Sequence, residues 1–296
     1  MVIDFSKTQL GILETLSTRW YEFLSVFDIS SHSKLPTSSI YDAIKPLKEK
    51  NIVIESNGTY RINFSNDIAW AMKRLADANK LYSLPHNVYN KIIEIREKAN
   101  LFFGSRILAI LVFGSSASSE IEKDSDIDFF IVLKEKREGF LNFLTSANKN
   151  FNFIENEESH FNDAYGDGDD FIISILKNHL LIQGDEYIRL FLERDLPIVS
   201  KKVIHDRELQ LNKLQKKIDK LLIDNQPIIY EKIKEYIKLE IRINLMKRGI
   251  IPTSNKNFFE IMKTEYRDHY LSYKNLTRNN AKNTYIKLAG VRRWAE

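Results

Sequence analysis

The sequence predicts a multidomain α+β protein, and three observations along its 296 residues support that fold class. Residues 1–66 combine helix-spaced apolar residues with two short alternating runs, which is typical of helices followed by a β-hairpin. Two apolar runs, at 107–113 and 129–133, predict neighbouring buried strands in a mixed sheet. From residue 203 onward the apolar spacing is helical and predicts a bundle of about four helices.

The composition excludes several classes of protein. With 43% hydrophobic residues, 10 Gly and 6 Pro, the chain is neither mainly disordered nor low-complexity. It contains no Cys, which excludes disulfides, thiolate metal sites and a Cys nucleophile. No signal-peptide pattern opens the chain, and its longest clean apolar run, 107–113, is far shorter than the roughly 20 residues of a membrane span. We therefore expect a cytoplasmic protein with no membrane partner.

The net charge of +4 conceals a strong asymmetry along the chain. Residues 1–66 carry a net charge of 0, residues 67–200 carry −7, and residues 201–296 carry +11. Opposite charges on two parts of one chain indicate different partners for the two parts. We expect metal ions at the acidic middle and a polyanion at the basic end.

The amino-terminal segment begins with three predicted helices. Residues 7–16 and 25–33 have helical apolar spacing, and the aromatic run at 18–23 favours a short strand between them. A third helix follows, with residues 37–39 as candidate N-cap residues. Pro46 lies inside this helix and removes one helical hydrogen bond, so we expect a bend or an early helix end there.

A β-hairpin completes this segment. Residues 52–55 and 59–64 alternate apolar and polar side chains around Asn57-Gly58, a strong hairpin signal. The order of elements in residues 1–66 resembles the winged helix-turn-helix modules of prokaryotic transcription regulators, which implies duplex DNA as a partner. The implied DNA contacts are Ser38, Ser39, Tyr41, Asp42 and Lys45 on the recognition helix, and Asn57 and Arg61 in the wing. The net charge of 0 favours the alternative of a protein-interaction or packing module, because phosphate contacts need a surplus of Lys and Arg.

Two connecting helices are predicted next, at 67–82 and 85–102. Residues 103–195 then form the segment that carries chemistry, and residues 196–296 form the helical bundle. Within the chemical segment, residues 107–133 read ILAILVFGSSASSEIEKDSDIDFFIVL. The first apolar run ends at Gly114, ten residues separate Ser115 from Asp126, and Asp128 opens the second run.

The two aspartates of this stretch predict a metal site. Strand side chains alternate between faces, so Asp126 and Asp128 project from the same face at the end of the sheet. Two like charges there need a cation between them, and oxygen ligands favour Mg²⁺. Gly114 permits close backbone approach, and Ser115 and Ser116 open a helical turn whose N–H groups suit phosphate oxygens. Metal ions beside a phosphate cradle are the apparatus of nucleotidyl transfer.

The Gly-Ser turn followed by Asp-Ile-Asp resembles the signature of the DNA polymerase beta-like nucleotidyltransferase superfamily, and DSDIDFFIVL resembles its minimal and aminoglycoside-modifying members. The resemblance covers about residues 100 to 192. It implies that Gly114, Ser115 and Ser116 hold the triphosphate of an NTP, and that Asp126 and Asp128 bind Mg²⁺. The structural alternative is a loop whose aspartates only cap and solubilise a strand.

The family normally adds a third carboxylate on a neighbouring strand, as a general base. After a predicted helix at 137–149, the strand at 151–155 offers Asn152 at that position, and an amide is no base. Glu155 is the candidate catalytic carboxylate, although in a regular strand it faces away from Asn152 unless a bulge redirects it. Further acidic candidates are Asp163, Asp167, Asp169 and Asp170.

The basic bundle adds aromatic residues to its charge surplus. A nucleic-acid surface or a site for a polyanionic acceptor would use Tyr266, Tyr270, Tyr273, Tyr285 and Trp294; the alternative is a solvated basic face over an aromatic core. The leading hypothesis is transfer of a nucleoside monophosphate from an NTP to an acceptor hydroxyl by two-metal catalysis. The alternative is a DNA-binding regulator or antitoxin-like protein whose nucleotidyltransferase fold senses nucleotide or is inactive. A homo-oligomer is compatible with both.

Overall fold

The structure is a computed structural model that describes residues 4–117, 126–137, 139–140, 143, 151–223 and 229–293. The chain divides into two compact units, one formed by residues 1–163 with 175–196 and the other by residues 164–174 with 197–296. The described residues contain many helices and two sheets, which confirms the α+β class. None of the helices in these ranges is both long enough and apolar enough to cross a membrane.

The first unit begins with three helices and a small antiparallel sheet of order β1-β3-β2. The elements are α1 (Lys7–Thr18), β1 (Leu24–Ser25), α2 (Val26–Ser33), α3 (Thr37–Glu49), β2 (Val53–Ser56) and β3 (Thr59–Ile62). Capping boxes formed by Ser6 and Ser25 begin α1 and α2. Asn57 and Gly58, with φ of 50° and 75°, make the tight turn of the predicted hairpin.

One local prediction for this part is wrong, and of the two outcomes expected at Pro46 the early helix end is not observed. The aromatic run at 18–23 is not a strand, because α1 continues to Thr18 and the strand is only Leu24–Ser25. Trp20 is instead buried, and its indole N–H donates to the carbonyl of Leu176 at 3.2 Å. The third helix does not end early at Pro46 but continues to Glu49. Ile44 and Leu47, on either side of Pro46, are buried, and their packing stabilises the helix despite the hydrogen bond that Pro46 cannot donate.

Two long helices, four strands and three shorter helices follow in the chain. All of their residues belong to the first unit except those within 164–174, which belong to the second. These elements are α4 (Asp67–Ser83), α5 (His86–Phe103), β4 (Ile107–Phe113), β5 (Ile127–Leu133), β6 (Phe151–Glu157), α6 (Glu158–Gly166), α7 (Asp170–Lys177), β7 (His179–Gln183) and α8 (Asp185–Leu192). The strand order is β6-β5-β4-β7. β4 runs antiparallel to β5 and β7, and β5 runs parallel to β6, so the sheet is mixed. The helix predicted at 137–149 lies almost entirely outside the described residues.

Helix α5 covers one face of this sheet. Its buried residues Val88, Ile92, Ile95 and Ala99 share one core cluster with sheet residues such as Ile110, Val112, Phe129 and Ile131. Helix α5 therefore belongs to the hydrophobic core of the sheet and is more than the connecting helix that the sequence predicts. The opposite sheet face carries Asp128 and Phe130, and Phe130 packs against Phe161 of α6 with ring centroids 5.9 Å apart.

The edge strand β7 is covered by side chains of α4. Asp77 accepts a hydrogen bond from the backbone N–H of Leu181 at 3.3 Å, and Arg74 donates to the carbonyl of the same residue at 2.5 Å. Asp77 also forms a buried ion pair with Lys73 at 2.5 Å. These contacts occupy peptide groups that an edge strand otherwise leaves open.

In the second unit, the helices beyond residue 200 are α9 (Lys201–Ile223), α10 (Ile229–Lys247), α11 (Asn255–Glu265), α12 (Arg267–Lys274) and α13 (Ala281–Arg293). Tyr266 leaves the helical conformation, with φ of −125° and ψ of 49°, and separates α11 from α12. Tyr285 of α13 is buried and donates to Asp219 at 3.0 Å, so it belongs to the core rather than to a surface. Trp294 lies outside the described residues.

Candidate active site

The candidate site lies where β4 ends and β5 begins. Because these strands are antiparallel, Phe113 at the end of β4 is paired with Asp128 at the start of β5. On the other side of β5, Asp128 is paired with Asn152 of β6. Paired residues in a sheet share a face, so Asp128 lies between Phe113 and Asn152 on the face opposite α5. The strand pairing thus explains how one carboxylate reaches the centre of this edge.

Gly114 turns the chain directly against the Asp128 carboxylate. Its φ of 72° is a left-handed conformation that suits glycine, and a Cβ at this position would lie 2.5 Å from Oδ2 of Asp128. Any larger residue would therefore push against the carboxylate. The residues that follow, Gly114–Ala117, form a short 3-10 turn. Glycine is required here by both the backbone conformation and the nearby carboxylate.

Ser116 lies inside this turn and contacts the other aspartate segment. Its side chain is buried, and its Oγ donates to the backbone carbonyl of Asp126 at 3.4 Å. The contact fixes the backbone of Asp126, whose side chain is exposed. Ser115 is described by its backbone alone. The structure therefore brings Gly114, Ser116, Asp126 and Asp128 together at one edge of the sheet.

Asn152 completes this group from the neighbouring strand. Its Nδ2 donates to Oδ1 of Asp128 at 3.0 Å, so the two oxygens of that carboxylate face different neighbours, Asn152 and Gly114. An amide carries no charge, and it orients Asp128 without the repulsion that a second carboxylate would introduce. Asn152 lies at the position that the sequence indicates, and no sequence pattern predicts its hydrogen bond to Asp128.

The structure does not bring Glu155 to the two aspartates. β5 and β6 keep a regular register over residues 151–157, in which Glu155 is paired with Ile131 on the face covered by α5. The bulge that could have redirected this side chain is absent from β6. Partial burial raises the pKa of Glu155, with nearby Lys136 opposing the shift. Within the described ranges, no group of three or more His, Cys, Asp or Glu residues could hold a metal ion.

Comparison with known families bears directly on this region. Residues 90–187 match the family model described as Polymerase beta, Nucleotidyltransferase. They form a nucleotidyltransferase domain of the polymerase beta superfamily. The matched segment begins inside α5 and contains the Gly114 turn, both aspartates and Asn152, which confirms the resemblance inferred from the sequence motif. No curated protein matched the chain in a sequence search.

A nucleotidyltransferase domain implies binding of a nucleotide substrate, and such domains typically use divalent metal ions. The remaining acidic candidates lie elsewhere. Asp169 and Asp170 accept hydrogen bonds from Arg207 at 3.0 and 2.7 Å, and Asp167 pairs with Lys202 at 2.7 Å, all within the second unit. Asp163 is exposed at the end of the first unit's main segment. Three of these four carboxylates therefore have structural partners.

The residues predicted to contact DNA are only partly available. Ser38, Tyr41 and Lys45 lie on the exposed side of α3, with Ser39 half-buried beside them. Arg61 is paired with Asp195, and its guanidinium lies 4.6 Å from the centre of the Phe23 ring. With its side chain only 17% exposed, Arg61 is engaged within the protein rather than presented by the hairpin.

Sequence reasoning missed His179, which is paired with Phe113 from β7 on the site's face of the sheet. It is buried, and its Nδ1 contacts the carbonyl of Leu176 at 2.9 Å, so Nδ1 carries the proton that is donated there. Burial lowers the pKa of His179 to about 3, with the charge of Lys73 acting in the same direction. The imidazole is therefore neutral at physiological pH. An isolated His inside an apolar strand gives no sequence signal that its ring is buried, neutral and paired with the end of β4.

Proposed function

We propose that the nucleotidyltransferase domain transfers a nucleoside monophosphate from an NTP to an acceptor hydroxyl. The observation that carries this proposal is the left-handed turn of Gly114 against the Asp128 carboxylate, at the edge where Asp126 also lies. A strand that merely needed soluble ends would require neither the glycine conformation nor the close contact. Both are needed when a phosphate-binding turn and a metal-binding carboxylate must meet.

The residues at this edge fit Mg²⁺. Asp126 and Asp128 supply carboxylate oxygens and Asn152 an amide, all from the oxygen-donor class that Mg²⁺ prefers. Mg²⁺ in phosphoryl-transfer sites is commonly held by one or two carboxylates plus substrate phosphates, so a third protein carboxylate is not obligatory. When bound, the ions would neutralise phosphate charge as the leaving group departs. We assign their binding to Asp126 and Asp128.

The other residues position these groups. The turn beginning at Gly114 offers backbone N–H groups of Ser115 and Ser116 to the triphosphate. The Ser116 side chain acts on Asp126 through its hydrogen bond to the Asp126 carbonyl, and is a positioning residue. Asn152 holds the orientation of Asp128. Because Glu155 lies on the other face of the sheet, we assign it no role in the reaction.

In this reaction the acceptor oxygen forms a bond to the α-phosphorus, the bond from that phosphorus to the bridging oxygen breaks, and pyrophosphate leaves. The hydroxyl proton is released as the new bond forms. The chain's contribution is to hold the triphosphate at the Gly114 turn and the carboxylates at the strand ends. Positioning and charge stabilisation supply most of the rate enhancement in phosphoryl-type transfers.

The test compares the wild-type protein with Asp126→Ala, Asp128→Ala and the control Asp163→Ala, which removes an exposed carboxylate outside the site. Pyrophosphate release from the four NTPs with Mg²⁺ and binding of an NTP analogue by calorimetry are both measured. We expect each site variant to lose about 100-fold or more in turnover, since a metal ligand contributes at least as much as the second-shell groups worth roughly 10–100-fold. Unchanged turnover in both site variants would rule the proposal out.

We also propose that residues 1–66 are a winged helix-turn-helix and that α3 reads duplex DNA. The support is the exposed position of Tyr41 and Lys45 on α3, next to the β2–β3 hairpin. We expect Lys45→Gln to weaken duplex binding and to reduce its salt dependence by about one unit of slope, whereas Arg61→Gln has little effect because Arg61 is paired with Asp195. Absence of duplex binding at low salt would remove this proposal.

The charge of +11 on residues 201–296 supports one further part of the proposal, a polyanionic acceptor held by the carboxy-terminal helices. Retention on an anionic matrix such as heparin at low salt is the simplest measurement. A chain that elutes like a neutral protein would contradict it.

A further inference from the structure

One ridge of helix α10 carries a row of positive charges set against aromatic rings. Tyr230, Lys234, Lys238 and Arg242 follow one another at intervals of four residues, so they share one side of the helix. The Nζ of Lys234 lies 4.3 Å from the ring centre of Tyr230 and 5.6 Å from that of Tyr273. The Nζ of Lys238 lies 5.3 Å from the ring centre of Tyr273 and 5.4 Å from that of Phe259. We call Lys234, Lys238, Tyr230, Phe259 and Tyr273 the cation–aromatic ladder.

The two lysines of the ladder differ from the other lysines of α10. Lys232 pairs with Glu235 at 2.5 Å, and Lys247 pairs with Glu208 at 2.6 Å. Among the described residues, no carboxylate lies within ion-pair distance of Lys234 or Lys238. Like charges four residues apart on a helix repel each other, while the hydrogen bond between Lys234 and Tyr230 favours the charged form of Lys234 and raises its pKa. An anionic ligand would remove that repulsion.

The ladder is not required to build the core. The buried side of α10 is formed by other residues, including Ile233, Tyr236, Ile237 and Ile241. The ladder residues are all half-buried, so each of them keeps part of its surface exposed to solvent. Apolar side chains would fill this position more effectively if packing were its only purpose. The combination of lysines that have no carboxylate partner among the described residues with partly exposed aromatic residues therefore indicates a ligand.

We propose that the cation–aromatic ladder binds single-stranded nucleic acid, with phosphates at Lys234 and Lys238 and an unpaired base against Tyr273. Four helical residues advance by about 6 Å, a spacing suited to successive phosphates of an extended strand. Aromatic rings among cations favour a single strand, because a duplex has no free base faces to stack. A membrane is disfavoured because the apolar face of α10 is buried in the helical core. The choice of nucleic acid rests on the proposed nucleotidyl transfer to a polyanionic acceptor.

Binding is measured by fluorescence anisotropy with the full chain, without NTP or Mg²⁺, using labelled single strands of about 15 nucleotides. One DNA strand and one RNA strand of the same sequence are compared with the DNA duplex and with poly-glutamate. The ladder variant is Lys234→Met with Lys238→Met, which keeps the aliphatic stems. The matched control is Lys232→Met with Lys247→Met, which removes the same charge from the same helix. Tyr273→Ala is the third variant.

We expect the ladder variant to reduce the slope of log affinity against log salt by about 1.4, because each phosphate contact on a single strand contributes roughly 0.7. The control variant should keep the wild-type slope. Tyr273→Ala should weaken binding about 5- to 150-fold, the range for loss of one stacked base. A preference for RNA or for DNA identifies which strand is the ligand, and either result supports the proposal.

Any of these results would overturn the inference: equal slopes for ladder and control variants, no effect of Tyr273→Ala, tighter binding of the duplex, or equal affinity for poly-glutamate. Absence of single-strand binding at low salt also overturns it. Asp128→Asn tests the two proposals separately, since it should abolish pyrophosphate release and leave strand binding unchanged. If the wild-type chain releases pyrophosphate but does not bind single strands, the ladder proposal alone is rejected. If the wild-type chain binds single strands but releases no pyrophosphate, nucleotidyl transfer alone is rejected.

Discussion

Gly114→Ala tests the central contact of the candidate site. The added Cβ would lie 2.5 Å from Oδ2 of Asp128, whereas real Cβ atoms essentially never approach within 3.0 Å, so the carboxylate must move by at least about 0.5 Å. Asn152 holds the other oxygen of that carboxylate at 3.0 Å, and the movement would strain this hydrogen bond. A substitution of one hydrogen atom by a methyl group is therefore expected to displace a metal ligand.

The expected magnitudes follow from these distances. A non-glycine residue in the left-handed region costs about 1–2 kcal/mol of folding free energy. Displacement of a catalytic group by about 1 Å can cost roughly 100-fold in rate, so we expect a 10- to 100-fold loss of turnover from a shift of this size. Urea unfolding measures the first effect. Pyrophosphate release and Mg²⁺-dependent binding of an NTP analogue measure the second.

Gly249→Ala is the matched control for backbone strain. Gly249 has φ of 73°, close to the 72° of Gly114, but a Cβ there would have no heavy atom within 4 Å. Both variants should lose the stability that alanine costs in the left-handed region, Gly114→Ala should lose more because it displaces the carboxylate, and only Gly114→Ala should lose nucleotide binding and turnover. If Gly114→Ala binds nucleotide and turns over like Gly249→Ala, the contact with Asp128 has no functional role and the reasoning fails.

Three other predictions concern neighbouring groups. Asn152→Asp should make the unfolding temperature more dependent on Mg²⁺ than in the wild type, because a second carboxylate beside Asp128 repels it until a cation binds; equal Mg²⁺ responses in calorimetry would contradict this. His179 has a folded pKa of about 3 against 6.5 unfolded, so stability falls as pH drops below about 6.5. The His179 contribution at pH 5 is about 2 kcal/mol lower than at neutral pH, and urea unfolding of His179→Leu should lack this loss. Asp77→Ala should cost about 3–5 kcal/mol in urea unfolding by leaving buried Lys73 unpaired, and adding Lys73→Met should recover most of it; no recovery would show that the hydrogen bond to the backbone of Leu181 dominates.

Those parts of the fold that depend on local pattern could be predicted from the sequence. The apolar run at 107–113 coincides with β4, and the alternation of side chains in a strand correctly separated Asn152 from Glu155. The same rule assigned Asp126 and Asp128 to one face. The register of β5 with its neighbours shows that Phe113 and Asn152 are the residues paired with Asp128. Hydrophobic runs and period-two alternation are local properties, so a single sequence contains them.

Other parts depend on contacts between distant residues, which periodicity cannot reveal. The apolar stripe of α5 indicated burial but not that the sheet was its partner. Arg61 fitted a wing in sequence, yet its charge is paired with Asp195, 134 residues away. The aromatic run around Trp20 favoured a strand, whereas the indole is used to contact Leu176. In each case the residue type indicated an interaction, but the sequence did not reveal which distant residue is the partner.

These distant contacts also show that residues 1–66 are an integral part of the first unit. Trp20 donates to the carbonyl of Leu176, and Arg189 donates to the carbonyl of Phe64 at 3.0 Å. A buried carbonyl that loses such a partner is costly, so a chain lacking residues 1–66 would leave the Leu176 carbonyl without the Trp20 donor, whereas Arg189 would lose the Phe64 carbonyl and keep Asp67 and Glu193. Leu176 lies just before β7, which pairs with β4, the strand that ends at Gly114. A loss of nucleotide binding after deletion of residues 1–66 would therefore follow from damage to the sheet edge, and would not by itself show that DNA regulates the site.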